Sequence, residues 1–172
     1  MSLMASAVSM VTTHLNGRPW GMTITACCSV SADPPTVMVS LSRHSAVSHA
    51  IDETSNYGLS ILGSDAVEVA KFGAAPGSPK FLDNDRGMLH DQHDGPSPCL
   101  AGAIAHLDCD VVKVVEIEDH MIYFGRVAGV TFPAASGPLV YCSREYRQLT
   151  SMWGLPHHFS GIDPDARVYP LW

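Results

Sequence analysis

A short polar loop carries the residues with the clearest chemical potential in this chain. Ser42, Arg43, His44 and Ser45 place hydroxyls and a guanidinium directly before a segment with helical spacing. The first turn of a helix has unpaired backbone N–H groups, and its dipole favours negative charge. A guanidinium adds a fork of donors that matches phosphate oxygens. The loop is therefore a candidate phosphate site.

The segment before this loop predicts two buried strands. Residues 23–30 are rich in β-branched and small side chains, and residues 36–41 form a short apolar run. Asp33-Pro34-Pro35 should interrupt the pairing and form a stiff corner, because Pro lacks an N–H. Small side chains at residues 25–29 leave room for a flat ring. Ring and phosphate together suggest a mononucleotide such as FMN, although an ordinary strand pair with a serine-capped helix explains the same features.

Length and composition favour one domain. The chain has 172 residues, of which 46% are hydrophobic and 16% charged, so it can bury a core. The net charge is −7 with only ten Lys and Arg, and no basic cluster is present. We therefore expect neither nucleic acid nor an anionic membrane surface as a partner.

The cysteines and the N-terminus indicate a cytoplasmic protein. The five cysteines are odd in number, two are adjacent, and none forms a Cys-x-x-Cys motif. Neither a disulfide framework nor a zinc site is indicated, so they should be small buried hydrophobes. The first residues lack the basic region and apolar core of a signal peptide, and no segment is long enough to span a bilayer.

Periodicity predicts a mainly β chain with short helices. A turn at Asn16-Gly17 and the acidic turn at residues 116–119 should close two hairpins. Ser64 is the predicted cap of the second helix. The predicted strands are 7–13, 57–62, 102–115, 120–127 and 139–141, and the predicted helices are 45–54 and 65–72.

The Gly- and Pro-rich stretch at residues 73–98 is predicted to be a long irregular loop. It contains His90-Asp91-Gln92-His93, which suggests a metal site as one interpretation. The spacing is not diagnostic on such a loop, so we favour a solvated surface and expect no metal. His106, inside a predicted strand, is expected to be a structural histidine.

Several motifs in this chain resemble those of the flavin reductase family, the small NAD(P)H:flavin oxidoreductases. The resemblance extends to about Leu149 and implies an FMN-binding split β-barrel, Greek-key-like, that dimerises around its flavin site. It rests on Gly21-Met22-Thr23, on Ser29-Val30-Ser31 with Pro34-Pro35, and on Ser42-Arg43-His44-Ser45.

The same resemblance implies two sets of site residues. His120, Tyr146 and Arg147 would lie on the nicotinamide side. For His120 this role is favoured over a plain surface histidine, whereas a polar barrel rim explains Tyr146 and Arg147 equally simply. Glu118 replaces a glycine that is common in that turn. The residues implied for the flavin are Thr23, Ile24, Thr25, Ala26, Cys27, Cys28, Ser42, Arg43, His44, Ser45, Ser48 and Phe81.

The implied reaction is hydride transfer from NADH or NADPH to FMN or FAD, with reduced flavin passing to a separate monooxygenase. It requires orientation of two cofactors and no obligatory side-chain nucleophile or base. A flavin-containing reductase of another substrate and a noncatalytic flavin carrier remain alternatives. Ala26, Cys27 and Val47 depart from common family residues, which predicts weak flavin binding. The aromatic tail from residue 150 to residue 172 is expected to pack on the barrel or on a partner subunit.

Overall fold

A computed structural model of the chain describes residues 3–82, 88–134 and 136–150. The fold is mainly β, as the sequence predicts, and ten strands accompany two short helices in the described part. The tail from residue 151 onward lies outside the described residues. Neither described helix is long and apolar enough to cross a membrane. In chain order the elements are β1 (Ser6–Ala7), β2 (Ser9–Leu15), β3 (Arg18–Ile24), β4 (Cys27–Ala32), β5 (Pro35–Ser42), α1 (Ala46–Thr54), β6 (Asn56–Leu62), α2 (Val67–Ala74), β7 (Ala103–Ile117), β8 (His120–Thr131), β9 (Leu139–Cys142) and β10 (Glu145–Gln148).

A seven-stranded antiparallel sheet forms the body of the split barrel. Its strand order is β3-β2-β6-β7-β8-β5-β4, so β3 and β4 are its two edges although they follow each other in sequence. β1, β9 and β10 form a separate three-stranded antiparallel sheet. The chain must therefore pass from one edge of the large sheet to the other between Ile24 and Cys27.

This passage corrects the prediction of one strand over residues 23–30. Ile24 still pairs with Ser9 of β2, whereas Cys27 already pairs with Val39 of β5. Thr25 and Ala26, between these pairs, belong to neither ladder. The Ala26 carbonyl accepts a hydrogen bond from the Ser40 N–H at 2.9 Å. Small side chains suggested a continuous strand, but the change of pairing partner divides it.

Two further predictions need correction. The Asp33-Pro34 corner does not separate its strands, because β4 and β5 pair up to Ala32 opposite Pro35. The turn contains a cis Asp33–Pro34 bond. The second helix begins at Val67 after Ala66, and no side chain caps it. Ser64 instead donates its backbone N–H to the Gly137 carbonyl at 2.8 Å.

The hairpin predictions are confirmed. Asn16 and Gly17 both have positive φ, 52° and 74°, as the tight turn between β2 and β3 requires. β7 and β8 form a long hairpin that pairs from Ile117 opposite His120 to His106 opposite Thr131.

The buried apolar residues form two clusters. One fills the space beneath α1 and includes Val47, Ile51, Tyr57 and Tyr123. The Tyr123 hydroxyl donates to Asp52 Oδ1 at 2.9 Å, so the aromatic core is fixed to the helix. The other cluster joins α2 to β2, β6, β7 and β9 and includes Met10. These two clusters hold the helices on either side of the passage between the sheet edges.

His106 is buried and bonded, as expected of a structural histidine, and its Nδ1 lies 2.8 Å from the Ser60 hydroxyl. Burial lowers the pKa of His106 to about 4. The prediction of a solvated loop is wrong for His93, whose side chain is only 6% exposed. Spacing on the loop gave no sign that it folds back onto β7.

We predict that Gly125→Ala destabilises the fold by about 1–3 kcal/mol through overpacking. A Cβ at Gly125 would lie 2.4 Å from Tyr57 Oη and 2.8 Å from Cys109 Cβ. Gly129→Ala on the same strand is the matched control, because its Cβ would lie 3.5 Å from Asp108 Oδ2. Urea denaturation measures both. Equal unfolding midpoints for the two variants would show that the residues around Tyr57 rearrange to accept the added methyl group without loss of stability.

Candidate functional site

A cavity of about 380 Å³ opens where the passage between the sheet edges meets the start of β8 and the small sheet. Its volume lies within the range of about 300–1,000 Å³ that is usual for small-molecule sites. Seven of the residues predicted for the site line it. The lining consists of Val8, Met22, Thr23, Ile24, Thr25, Ala26, Ser40, Leu41, Ser42, Ala74, His120, Tyr141 and Tyr146.

One wall of this cavity is the backbone of residues 23–26. The Thr23 hydroxyl donates to the Ala70 carbonyl of α2 at 2.9 Å, which fixes the wall to that helix. The helix approaches closely because Gly73 lacks a side chain, and a Cβ there would lie 2.3 Å from Thr23 Oγ1. Since Thr25 and Ala26 lie between two ladders, this wall offers a flat ligand main-chain groups and small side chains.

The candidate phosphate loop is a well-formed helix N-terminus. Ser45 is the N-cap of α1, and its side chain accepts a hydrogen bond from the Ser48 N–H at 3.1 Å. Ser48 is 1% exposed, and its hydroxyl donates to the Ser42 carbonyl at 2.9 Å. Of the loop residues, Ser42 lines the cavity. Val47 is fully buried in the core, which accounts for an apolar residue at that position.

Arg43 is bound to the turn between β7 and β8. Its Nη2 lies 2.5 Å from Glu116 Oε1 and also contacts the Glu118 carbonyl. Its backbone N–H donates to the Asp119 carbonyl at 3.0 Å. Its Nε is buried and has no hydrogen-bond partner among the described residues. The turn thus positions the guanidinium and leaves its buried Nε without a partner among the described residues.

His120 stands at the cavity rim opposite the same loop. The strand register places it across from Ser42, and both line the cavity. His120 Nδ1 lies 2.7 Å from Asp119 Oδ1. This hydrogen bond and the charge of His120 lower the pKa of the Asp119 carboxyl, and Arg43 contributes in the same direction. Glu118 adopts φ +53°, the left-handed conformation that explains glycine as a common residue in this turn.

Two tyrosines close the other side of the cavity. The rings of Tyr141 and Tyr146 pack edge to face, with centroids 5.2 Å apart. Burial raises the pKa of Tyr146, so its hydroxyl is protonated near neutral pH. Arg147 is paired with Glu145 at 2.6 Å and does not line the cavity.

Other predicted residues lie outside this cavity in the structure. Cys27 Sγ donates to the Ser9 hydroxyl at 3.6 Å, and burial raises the pKa of the Cys27 thiol. Phe81 packs against Trp20 with ring centroids 4.7 Å apart, and the Arg18 guanidinium lies 3.8 Å above its ring. The predicted residues that do not line the cavity are Cys27, Cys28, Arg43, His44, Ser45, Ser48, Phe81 and Arg147.

Sequence reasoning missed several residues that line the cavity. The missed residues are Val8, Met22, Ser40, Leu41, Ala74 and Tyr141. A signal was present for Ser40, because alternation along β5 places it on the same face as Ser42. Val8 and Ala74 come from distant elements, so no local pattern connects them to the site.

A family model described as "Flavin reductase like domain" matches residues 1–150. Among curated proteins, the FMN reductase (NADH) RutF of Ancylobacter novellus is 33% identical over 148 residues, covering 85% of this chain and 80% of the relative. The reductase component of the 4-nitrophenol 4-monooxygenase/4-nitrocatechol 2-monooxygenase of Rhodococcus opacus is 38% identical over 165 residues, covering 93% of this chain and 85% of the relative.

Solved structures agree with these sequence matches. The flavin reductase PheA2 in its native state has a TM-score of 0.76 and is 30% identical, covering 88% of this chain and 94% of its own. BorF, the flavin reductase component of a bacterial two-component tryptophan halogenase, has a TM-score of 0.78 at 28% identity, covering 87% of this chain and 94% of its own.

Proposed function

The chain belongs to the flavin reductase family, and from this premise we propose that it transfers hydride from NADH to FMN and supplies the reduced flavin to a monooxygenase. The enzyme class is that of its relatives, an oxidoreductase of flavin. The observation that carries the proposal is a single cavity lined by the backbone segment 23–26, by the neighbouring cross-strand pair of Ser42 and His120, and by Tyr146.

The residues present fit a flavin mononucleotide. Bound flavin would supply the ring that accepts hydride. The backbone of residues 23–26 would hold that ring, because Thr25 and Ala26 line the cavity and lie between the two ladders. Ser42 and the N-terminus of α1 would bind the phosphate. Arg43 Nε, buried and unpartnered among the described residues, is the donor that would complete this set.

His120 and the two tyrosines suit the nicotinamide. His120 would orient the nicotinamide amide, because the hydrogen bond between Asp119 Oδ1 and His120 Nδ1, at 2.7 Å, fixes the imidazole ring. Tyr146, supported edge to face by Tyr141, would limit the space above the flavin ring. Arg147 forms an ion pair with Glu145, so it would bind a dinucleotide phosphate only after that ion pair breaks. We therefore assign Arg147 a smaller part in binding than His120 or Tyr146. The main contribution of the protein to this reaction is to orient the two rings.

The names of the relatives support NADH as the donor and FMN as the acceptor, and we propose both for this chain. The Rhodococcus opacus relative is a monooxygenase reductase component, which supports a monooxygenase as the recipient of reduced flavin. NADPH and FAD remain alternative cofactors to be measured beside them.

The primary test is NADH oxidation by the purified chain with and without added FMN. We predict oxidation that rises with added FMN to saturation, because the open cavity suits a flavin that enters and leaves. NADPH and FAD are assayed in parallel. Bound flavin without any NADH oxidation would contradict the reductase and favour a carrier. Oxidation that requires another acceptor would favour a reductase of a different substrate.

The two sides of the cavity should respond differently to mutation. We predict that Arg43→Ala weakens FMN binding about 10- to 100-fold, as expected for the loss of a charged hydrogen bond. His120→Ala should raise the Michaelis constant for NADH roughly tenfold and leave FMN binding nearly unchanged. Flavin fluorescence quenching and steady-state kinetics measure the two quantities.

Matched variants control for loss of charge and of structure. Arg126→Ala removes an exposed arginine from β8, and His14→Ala removes an exposed histidine from β2. Glu116→Gln breaks the ion pair with Arg43 but keeps the guanidinium, so it should retain FMN binding. Equal loss of FMN affinity in Glu116→Gln and Arg43→Ala would reduce Arg43 to a structural role.

We propose that the chain forms a homodimer through the exposed end of its long hairpin. Large apolar side chains are exposed there, with Val114 41% and Ile117 52% exposed. Exposed apolar side chains grouped in this way favour association. The other exposed members on or beside this hairpin are Val112, Val130 and Phe132.

We predict that Val114→Lys converts a dimer into a monomer, because it places a charge in an apolar interface. Lys113→Ala, at the neighbouring exposed position, should leave the dimer intact. Size-exclusion chromatography with light scattering gives the mass of each. A monomeric wild-type chain, or a dimeric Val114→Lys, would refute this interface.

A further inference from the structure

A cluster of two histidines and one aspartate lies where the loop at residues 88–99 folds over β6 and β7. His93 comes from the loop, and His106 and Asp108 come from one face of β7. One candidate ligand atom from each side chain lies within 4.8 Å of the other two. All three side chains are at least nine-tenths buried. The cluster shares no residue with the lining of the cofactor cavity described above.

The outer nitrogen of each histidine is already held by a hydroxyl. His106 Nδ1 lies 2.8 Å from Ser60 Oγ, and His93 Nδ1 lies 3.1 Å from Thr131 Oγ1. Both Nε2 atoms consequently face Asp108, at 3.5 Å from Oδ1 for His106 and 3.4 Å from Oδ2 for His93. Histidines that bind a metal usually have their second nitrogen fixed in this way.

His93 Nε2 is the atom that the protein leaves unsatisfied. It is buried, and it makes no hydrogen bond among the described residues despite its 3.4 Å separation from Asp108. An unpaired polar atom in such a place is costly. The space beside it exists because residue 95 is glycine, since a Cβ there would lie 2.4 Å from His93 Nε2 and 2.3 Å from Asp108 Oδ2.

We propose that His93, His106 and Asp108 bind one divalent transition-metal ion, with Zn²⁺ the best match. Bonds of about 2.0–2.1 Å place tetrahedral ligands about 3.3–3.4 Å apart, close to the two separations from Asp108. Two imidazoles and a carboxylate form a common zinc ligand set, with water in the fourth position. The separation between the two histidine nitrogens contracts as the ion enters.

The Ser97 side chain lies among the three proposed ligands. Its hydroxyl lies 3.1 Å from His106 Nε2 and also contacts Asp108 Oδ1. Binding requires Ser97 to release His106 while keeping its bond to the carboxylate. A second cavity of about 170 Å³, lined by His14, His90 and His93 among others, provides the route of entry and room for the water.

The bound ion would fasten the loop to the barrel. Residues 89 and 100 already form a bridge at the base of the loop, and His93 and Ser97 contact the barrel farther along it. A ligand on the loop and two on β7 make the metal a clip across elements distant in sequence. Because binding occurs in the folded state alone, the ion raises the thermal midpoint.

The test uses untagged protein treated with a chelator and then dialysed free of it. Titration calorimetry with Zn²⁺ should give one site per chain, and Co²⁺ should give the visible bands of tetrahedral nitrogen and oxygen ligation. His93→Ala and Asp108→Asn should each lower Zn²⁺ affinity about 100-fold or more. Because His93 lies on the loop, its variant keeps the strand core, which circular dichroism verifies.

Two steric and chemical controls complete the design. Gly95→Ala leaves all three ligands present but fills their space, so it should lose the site, whereas Gly129→Ala should retain it. His14→Ala, at the cavity mouth, should also retain it. No stoichiometric Zn²⁺ binding by the wild type, or undiminished affinity in His93→Ala, would overturn the proposal and leave a hydrogen-bonded cluster without a metal.

Discussion

The whole site depends on one constraint, which is that two sequence neighbours, β3 and β4, form opposite edges of the same sheet. The chain can satisfy both edges only by leaving one ladder and joining the other within two residues. Thr25 and Ala26 consequently lie outside both ladders, and the Ala26 carbonyl accepts one hydrogen bond from Ser40 of β5. Elsewhere backbone groups outside a ladder would be a liability, but here they line a cavity. Closure of the barrel and creation of a ligand wall are therefore the same structural event.

The surrounding elements serve to keep this wall in place. α2 approaches through Gly73 and accepts the Thr23 hydroxyl, while Ser40 donates to Ala26 from β5. α1 is fixed from below by Tyr123, whose hydroxyl reaches Asp52. Rigid support of this kind suits a reaction in which the protein mainly orients two rings. Such a reaction requires no side-chain nucleophile or general base.

Much of this arrangement was predictable from local sequence, and the misses with the largest effect on the site share one cause. The Ser45 cap, the Asn16-Gly17 turn and the long hairpin follow from short-range rules of capping and periodicity. The division at Thr25 and the burial of His93 depend on which distant strand or loop packs there. Tyr141 and Val8 entered the cavity for the same reason. The sequence on either side of those residues contains no pattern that indicates a long-range contact.

The turn between β7 and β8 holds both sides of the cavity at once. Glu116 and the Glu118 carbonyl bind Arg43, while Asp119 binds His120 and feels the Arg43 charge. Arg43 and His120 are therefore positioned by neighbouring groups of one turn. A movement of this turn displaces the guanidinium and the imidazole together, so the turn sets the spacing between them.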